Sequence, residues 1–128
     1  MKPELSLLVW SVALAFVQVL IATQGAVMQV GLPTLAGNRE ALPQLNGWAG
    51  RAQRAQRNMV ENLVLFAALV LAALAAGKTN NITLLGAQIF FWGRVAYTAV
   101  YIAGIPWLRT GVWFVSVIGM ILIFAQLL

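Results

Sequence analysis

The sequence predicts an all-α integral membrane protein, folded as a four-transmembrane-helix bundle. Three observations support this: 62% of the 128 residues are hydrophobic, only 9% are charged, and long apolar runs recur along the chain. Soluble domains carry about 25% charged residues, so this composition excludes an ordinary soluble protein. Each span needs about 20 apolar residues, so four spans make residues 1–128 a single membrane domain.

The composition also limits the chemistry. The chain has no cysteine and no histidine, which removes disulfides, a cysteine nucleophile, the usual imidazole base and most metal sites, so no metal is expected. Any thiol would have to come from a ligand. The net charge of +5 favours a topology signal or an anionic ligand over nucleic acid, because the arginines cluster beside apolar spans.

The first helix is predicted at about residues 5–30. Its apolar run is longer than the about 7–15 residues of a signal peptide, so we expect a retained membrane span. Gln18 within it either lines a cleft or bonds across helices. Residues 31–50 form a long loop, which is either a functional lid or an ordinary interfacial loop anchored by Trp48.

The second helix, at about residues 50–76, begins as a basic surface segment and continues into the membrane. Steps of three and four residues trace one seam along it: Arg54, Asn58, Glu61, Leu65, Ala68, Ala72 and Ala75. Small residues let helices approach closely in lipid, so this seam is predicted to face protein.

The third helix, at about residues 82–104, places Arg94, Tyr97 and Tyr101 on one face. A tight connection from Gly104 to Thr110 carries Arg109, and a fourth helix follows at about residues 111–128. The loops at 31–50 and 104–110 hold most of the arginines, so the positive-inside rule predicts that they are cytoplasmic and that both termini lie outside.

The depths of the polar groups follow from the helical rise of about 1.5 Å per residue. Glu61 lies about 10 Å below the cytoplasmic surface and Arg94 about 15 Å below it. A Glu61–Arg94 ion pair would offset the cost of burying either charge. This pair either only locks two helices together or also orients a ligand.

The cytoplasmic half can therefore bring six side chains together: Arg54, Asn58, Glu61, Tyr97, Tyr101 and Arg109. Arginines clamp carboxylates, and a carboxylate accepts from an ammonium, so the set suits a small zwitterion such as glutathione. Glutathione also supplies a thiol. Arg109, with Thr110 beside it, is the candidate cation that lowers the pKa of that thiol.

Three segments resemble the MAPEG family, the membrane-associated proteins in eicosanoid and glutathione metabolism. They are RAQRAQRNMVENLVLF at 51–66, GRVAYTAVYIAG at 93–104 and PWLRT at 106–110, and GNREALPQLNGWAG at 37–50 is similar to the bacterial branch. The likeness covers nearly the whole chain. It implies a homotrimer in the bacterial inner membrane, with glutathione as co-substrate bound between adjacent subunits near the cytoplasmic face.

The resemblance also implies roles for individual residues. The glutathione contacts it implies are Arg54, Asn58, Glu61, Tyr97 and Tyr101. Gln56 would contact glutathione bound mainly by the neighbouring subunit, and Arg94 would pair with Glu61. Arg109 and Thr110 would serve the thiolate, and a contribution from Arg39 is left open.

Three functions are compatible with these features. The first is a glutathione-dependent transferase or peroxidase acting on lipophilic electrophiles or hydroperoxides. The second is a non-catalytic lipid-binding or scaffold protein on the same fold. The third is a small transporter or channel subunit, because charges at the depth of Glu61 and Arg94 also serve ion paths.

Overall fold

The computed structural model describes residues 1–37 and 44–128, and this part of the chain is helical throughout apart from short connections. Its helices are α1 (Pro3–Val30), α2 (Leu32–Ala36), α3 (Gly47–Ala75), α4 (Asn81–Ala103) and α5 (Pro106–Leu127). The all-helical prediction is confirmed. Helix α2 lies in the segment predicted as loop, and Arg39 lies outside the described residues.

Within the described ranges, α1, α3 and α5 are each long and apolar enough to cross a membrane. Helix α4 has 23 residues, more than the about 20 that a span needs, but its interior carries the polar residues Gln88 and Arg94. Three of the four predicted helices are therefore candidate membrane spans. The fourth span stays a prediction.

The turn between α4 and α5 is shorter than the sequence suggested. Gly104 ends α4 in the left-handed region at a φ of 82°, and Ile105 precedes Pro106, the first residue of α5. Proline suits this position because its φ is preset for a helix and its missing N–H has no partner to lose. Arg109 and Thr110 therefore lie in the first turn of α5, and their predicted placement in a loop is wrong.

Helices α4 and α5 approach each other most closely at small residues. A Cβ built on Gly86 would lie 2.5 Å from the carbonyl oxygen of Gly119, and one on Gly93 would lie 3.2 Å from the backbone nitrogen of Ser116. The core beside this contact is apolar, with the rings of Phe66 and Phe90 stacked at 3.9 Å between centroids. Close packing of this kind fixes α5, and so the residues at its start, relative to α4.

The predicted seam of α3 is divided between two environments. Arg54 and Asn58 at its start contact or approach α4 and α5, whereas Leu65, Ala68, Ala72 and Ala75 are exposed, so within one chain the apolar part of the seam is not covered by protein as predicted. The buried face of α3 runs instead through Met59, Phe66 and Val70, together with small residues that include Ala52, Ala55 and Ala73. Alanine therefore occurs on both faces of α3, and its presence alone does not show which face is covered.

The end of the bundle remote from the α4–α5 turn is held by polar contacts. The Thr83 hydroxyl donates to the buried carboxylate of Glu4 at 2.8 Å, which ties α1 to α4. Lys78 Nζ donates to the carbonyl oxygen of Leu127 at 3.2 Å, at the carboxyl end of α5. Asn80 caps the start of α4 by accepting from the backbone N–H of Ile82 and Thr83.

Candidate functional site

A polar cleft of about 200 Å³ opens between α3, α4 and α5, close to the α4–α5 turn. Its walls are formed by Asn58, Tyr97, Arg109, Thr110 and Trp113. Asn58 comes from α3, Tyr97 from α4, and the other three from the first two turns of α5. Of these five, all except Trp113 belong to the site predicted from the sequence.

Tyr101 connects this cleft to Arg54. Arg54 Nε donates to the Tyr101 hydroxyl at 3.2 Å, and the Arg109 guanidinium carbon lies 4.7 Å from the centroid of the Tyr101 ring. The rings of Tyr101 and Tyr97 lie 5.5 Å apart. Two cations therefore flank one tyrosine at the edge of the cleft, an arrangement suited to an anionic ligand.

Asn58 is held in the cleft wall by a neighbour one helical turn along α3. Asn62 Nδ2 donates to the Asn58 backbone oxygen at 2.9 Å and to its side-chain oxygen at 3.1 Å. Asn62 itself is buried, with 8% of its surface exposed. The amide of Asn58 therefore has a fixed direction rather than a choice of rotamers.

Thr110 sits at the mouth of the cleft with an exposed side chain. Its hydroxyl donates to the carbonyl oxygen of Pro106 at 3.3 Å, within the first turn of α5. The amino end of a helix carries a partial positive charge, which adds to that of Arg109 nearby. This corner of the cleft therefore favours negative charge.

The structure does not bring Glu61 and Arg94 together within one chain. Arg94 is fully buried, its guanidinium stacks over the Tyr97 ring at 4.1 Å, and none of its three side-chain nitrogens has a hydrogen-bond partner among the described residues. Glu61 is exposed. With 3.6 residues per turn, Glu61 points well away from its buried neighbours Met59 and Asn62, so matching depth did not mean matching direction. The ion pair is not formed in the single subunit and stays a prediction for an assembly.

Gln18 resolves one of the sequence-based alternatives. It is buried, and its side-chain Nε2 donates to the Thr98 hydroxyl, which in turn donates to the carbonyl oxygen of Arg94 at 2.9 Å. Gln18 therefore bonds across helices and ties α1 to the part of α4 that carries Arg94.

Gln56 lies on the other side of α3 from the cleft. It lines a separate pocket of about 180 Å³ between α1, α2 and α3, together with Val19, Ala22, Thr23, Ala26, Leu35 and Gln53. A residue two positions before Asn58 is rotated by about 200° around the helix, which accounts for the separation. Gln56 therefore cannot reach the cleft of its own subunit.

An apolar groove of about 370 Å³ lies farther along α3 and α5, on the side that carries the cleft. Its lining is entirely apolar: Leu65, Ala68, Leu69, Val117, Met120, Ile121 and Phe124. Leu65 follows Asn58 by two helical turns and Val117 follows Trp113 by one, so the groove continues from the polar cleft into the membrane.

Three residues near the cleft received no site role in the sequence-based prediction. Trp113 follows Arg109 by four residues and Asn62 follows Asn58 by four, so helical spacing could have assigned both. Arg51 Nε donates to the carbonyl oxygen of Ile102 at 2.9 Å, at the end of α4. That contact joins α3 to α4, and residue spacing within either helix does not predict it.

Over residues 1–37 and 44–128 the chain is helical, with three candidate membrane spans and a basic, aromatic cleft at one end, which defines a membrane protein with a candidate site for a small anionic ligand. The model of the MAPEG family matches residues 7–128, so the chain belongs to the MAPEG family, as predicted. The family includes glutathione-dependent transferases and peroxidases as well as non-catalytic members. A comparison with curated proteins found no significant match.

Proposed function

We propose that the protein is a glutathione-dependent membrane enzyme of the transferase or peroxidase type, acting on lipophilic electrophiles or hydroperoxides. The observation that carries this proposal is the cleft itself. It joins Asn58, Tyr97, Arg109 and Thr110 in one wall and reaches Arg54 through Tyr101.

The donor set of the cleft fits glutathione. Arg54 matches a carboxylate group, the Asn58 amide can donate and accept, and the tyrosine hydroxyls add further hydrogen bonds. Glutathione supplies a thiol, the reactive group that the chain lacks. Arg109 and the amino end of α5 both favour the thiolate over the thiol, and the thiolate is the nucleophile. The hydroxyl of Thr110 is the second group in reach of that corner.

The exposed seam of α3 supports a homotrimer. Glu61 and the alanines at positions 72 and 75 are exposed in one chain. A carboxylate inside a bilayer costs about 2.5–3.5 kcal/mol unless it has a partner, so a second copy is the natural cover for this face. The same interface would complete the cleft, which at about 200 Å³ is smaller than a typical ligand pocket of about 300–1,000 Å³.

Glutathione would then lie between adjacent subunits. Gln56 faces away from the cleft of its own chain and would reach glutathione held by the neighbour. The clustered arginines near the cleft favour the cytoplasmic side for this end of the bundle, with both termini outside.

The lipophilic second substrate would enter from the bilayer along the apolar groove between α3 and α5. The groove runs along α3 and α5 toward the polar cleft, where Trp113 lies between it and the residues Arg109 and Thr110. Its apolar lining matches a hydrocarbon chain, and its polar end would hold the reacting group.

The test uses protein purified in detergent and mixed with glutathione at millimolar concentration. We expect a thiolate ultraviolet absorbance at neutral pH, and turnover with an aryl halide or a lipid hydroperoxide. Asn58→Leu should remove both signals, while the exposed substitution Trp10→Phe on α1 should leave both unchanged. Absence of glutathione binding in the unmodified protein would refute the proposal.

A non-catalytic lipid-binding protein is the second candidate. It is favoured by the size of the apolar groove, about 370 Å³ against about 200 Å³ for the polar cleft. Such a protein would bind a fluorescent fatty acid competitively with membrane lipid and would give no thiolate absorbance with glutathione.

A further inference from the structure

Arg51 joins the amino-terminal part of α3 to the carboxyl end of α4. The side chain is half-buried, and its Nε donates to the carbonyl oxygen of Ile102 at 2.9 Å. The last carbonyl groups of a helix lack partners within the helix and carry partial negative charge. Arg51 satisfies one of them and places a cation at that end.

The same side chain packs on the turn that follows. A Cβ built on Gly104 would lie 3.3 Å from Arg51 Nε and 3.5 Å from its Cδ and Cζ. Gly104 closes the turn through its N–H, which donates to the Val100 carbonyl oxygen at 3.0 Å. Arg51 therefore covers the one residue whose left-handed conformation sets the direction of the chain into α5.

This turn determines where Arg109 lies. Arg109 N donates to the carbonyl oxygen of Ile105 at 3.1 Å, so the first turn of α5 is built directly on the residue after Gly104. Arg109 in turn lies against the Tyr101 ring and in the cleft wall beside Thr110. Arg51 itself does not line the cleft.

We propose that Arg51 is a positioning residue. It acts through the α4–α5 turn on Arg109 and Thr110, the two residues proposed to favour the glutathione thiolate. The inference rests on the proposed function. Arg51 contributes through its bond to Ile102 and its packing on Gly104, and it touches neither glutathione nor the second substrate.

Other charged or ionisable groups in or beside the cleft set the background for any titration. Tyr97 and Arg109 line the cleft, Arg94 stacks on the Tyr97 ring, and Arg54 reaches the cleft edge through its bond to Tyr101. The proposal requires that loss of the Arg51 side chain displaces Arg109 and leaves the Arg54–Tyr101 hydrogen bond intact. Formation of the glutathione thiolate should therefore decrease more than the affinity for glutathione.

The experiment compares Arg51→Met, Arg51→Lys and Gly104→Ala with the control Lys78→Met. Lys78 also donates to a helix-end carbonyl, that of Leu127, but at the opposite end of the bundle. For Arg51→Met we expect the pKa of the bound glutathione thiol to rise by about one unit. The rate at neutral pH should therefore fall about tenfold, with a smaller change in KM. Arg51→Lys should restore part of the loss, and Gly104→Ala should reproduce it. The double variant of Arg51→Met and Gly104→Ala should lose less than the sum of the two single losses, because both substitutions disturb the same α4–α5 turn.

Hydrogen exchange of the 102–110 segment provides a readout that needs no glutathione. Arg51→Met should speed exchange there, while Lys78→Met should not. If thiolate formation and exchange in Arg51→Met match those of Lys78→Met, the positioning role is wrong although the proposed function stands. If the unmodified protein forms no thiolate, the proposed function fails and this inference fails with it, whatever exchange shows. If Arg51→Met does not fold, Arg51→Lys decides the matter by the same two measurements, again against Lys78→Met.

Discussion

Arg54 and Tyr101 are joined by a hydrogen bond of 3.2 Å, from the Nε of the arginine on α3 to the hydroxyl of the tyrosine on α4. The ring of the same tyrosine faces Arg109 at the start of α5. The Tyr101 side chain on α4 thus lies between two cations, one on α3 and one on α5, and the distance between those cations sets which anionic groups the cleft can accept.

Tyr101→Phe tests this spacing. The substitution removes the bond to Arg54 and keeps the ring against Arg109. A hydrogen bond to a charged group contributes about 1.5–3 kcal/mol, so we expect glutathione affinity to fall about tenfold, measured by calorimetry. Thiolate formation at saturating glutathione should change little. An unchanged affinity would mean that the Arg54–Tyr101 bond has no part in binding.

Asn62→Leu tests the support of Asn58. Asn62→Leu removes the two hydrogen bonds from Asn62 Nδ2 and leaves the Asn58 amide free to rotate. We therefore expect the affinity for glutathione to fall, as it should in Asn58→Ala. Because the two residues act as a unit, the double variant should lose less than the sum of the single losses. Strict additivity would show that Asn62 acts elsewhere.

Phe66→Ala tests the core that carries the site. Phe66 and Phe90 are both fully buried and stacked at 3.9 Å, so truncation should cost about 3 kcal/mol, at the low end for such a change because lipid can also solvate the ring. Thermal unfolding in detergent measures this. The comparison variant is Phe114→Ala, whose ring is 57% exposed and whose loss should cost far less. Equal losses would contradict the described packing.

Ala72→Trp tests the exposed seam of α3. Ala72 is exposed in one chain, and a bulky ring there should block close approach of a second copy without disturbing the subunit. Native mass spectrometry should then show monomers where the unmodified protein shows trimers. Leu85→Trp, an exposed position on α4, serves as the comparison and should still form trimers. Trimers in both variants would place the interface elsewhere.

Much of the site could be predicted because its residues follow helical spacing. Tyr97 and Tyr101 share a face of α4, and Asn58 lies one helical turn after Arg54 on α3. The direction of a side chain around its helix was harder to predict. Glu61 was assigned to Arg94 by depth, yet Met59 and Phe66 take the inner face of α3, which leaves Glu61 outside.

The α4–α5 turn shows a second limit of the sequence. Pro106 and Gly104 were both recognised as turn residues, but proline also starts helices, and here it places Arg109 inside α5. Arg51 could not be assigned at all, because its contact with Ile102 depends on how α3 and α4 pack. Contacts between distant segments carry no periodic signal.

We propose that the cleft binds glutathione and that Arg109 activates its thiol. The most direct measurement is the thiolate absorbance of glutathione bound to the purified protein at neutral pH, for the unmodified chain and for Arg109→Gln. We predict a thiolate band in the unmodified protein and its loss in Arg109→Gln, with glutathione still bound. A band of equal size in both proteins, or no band in either, would contradict the account.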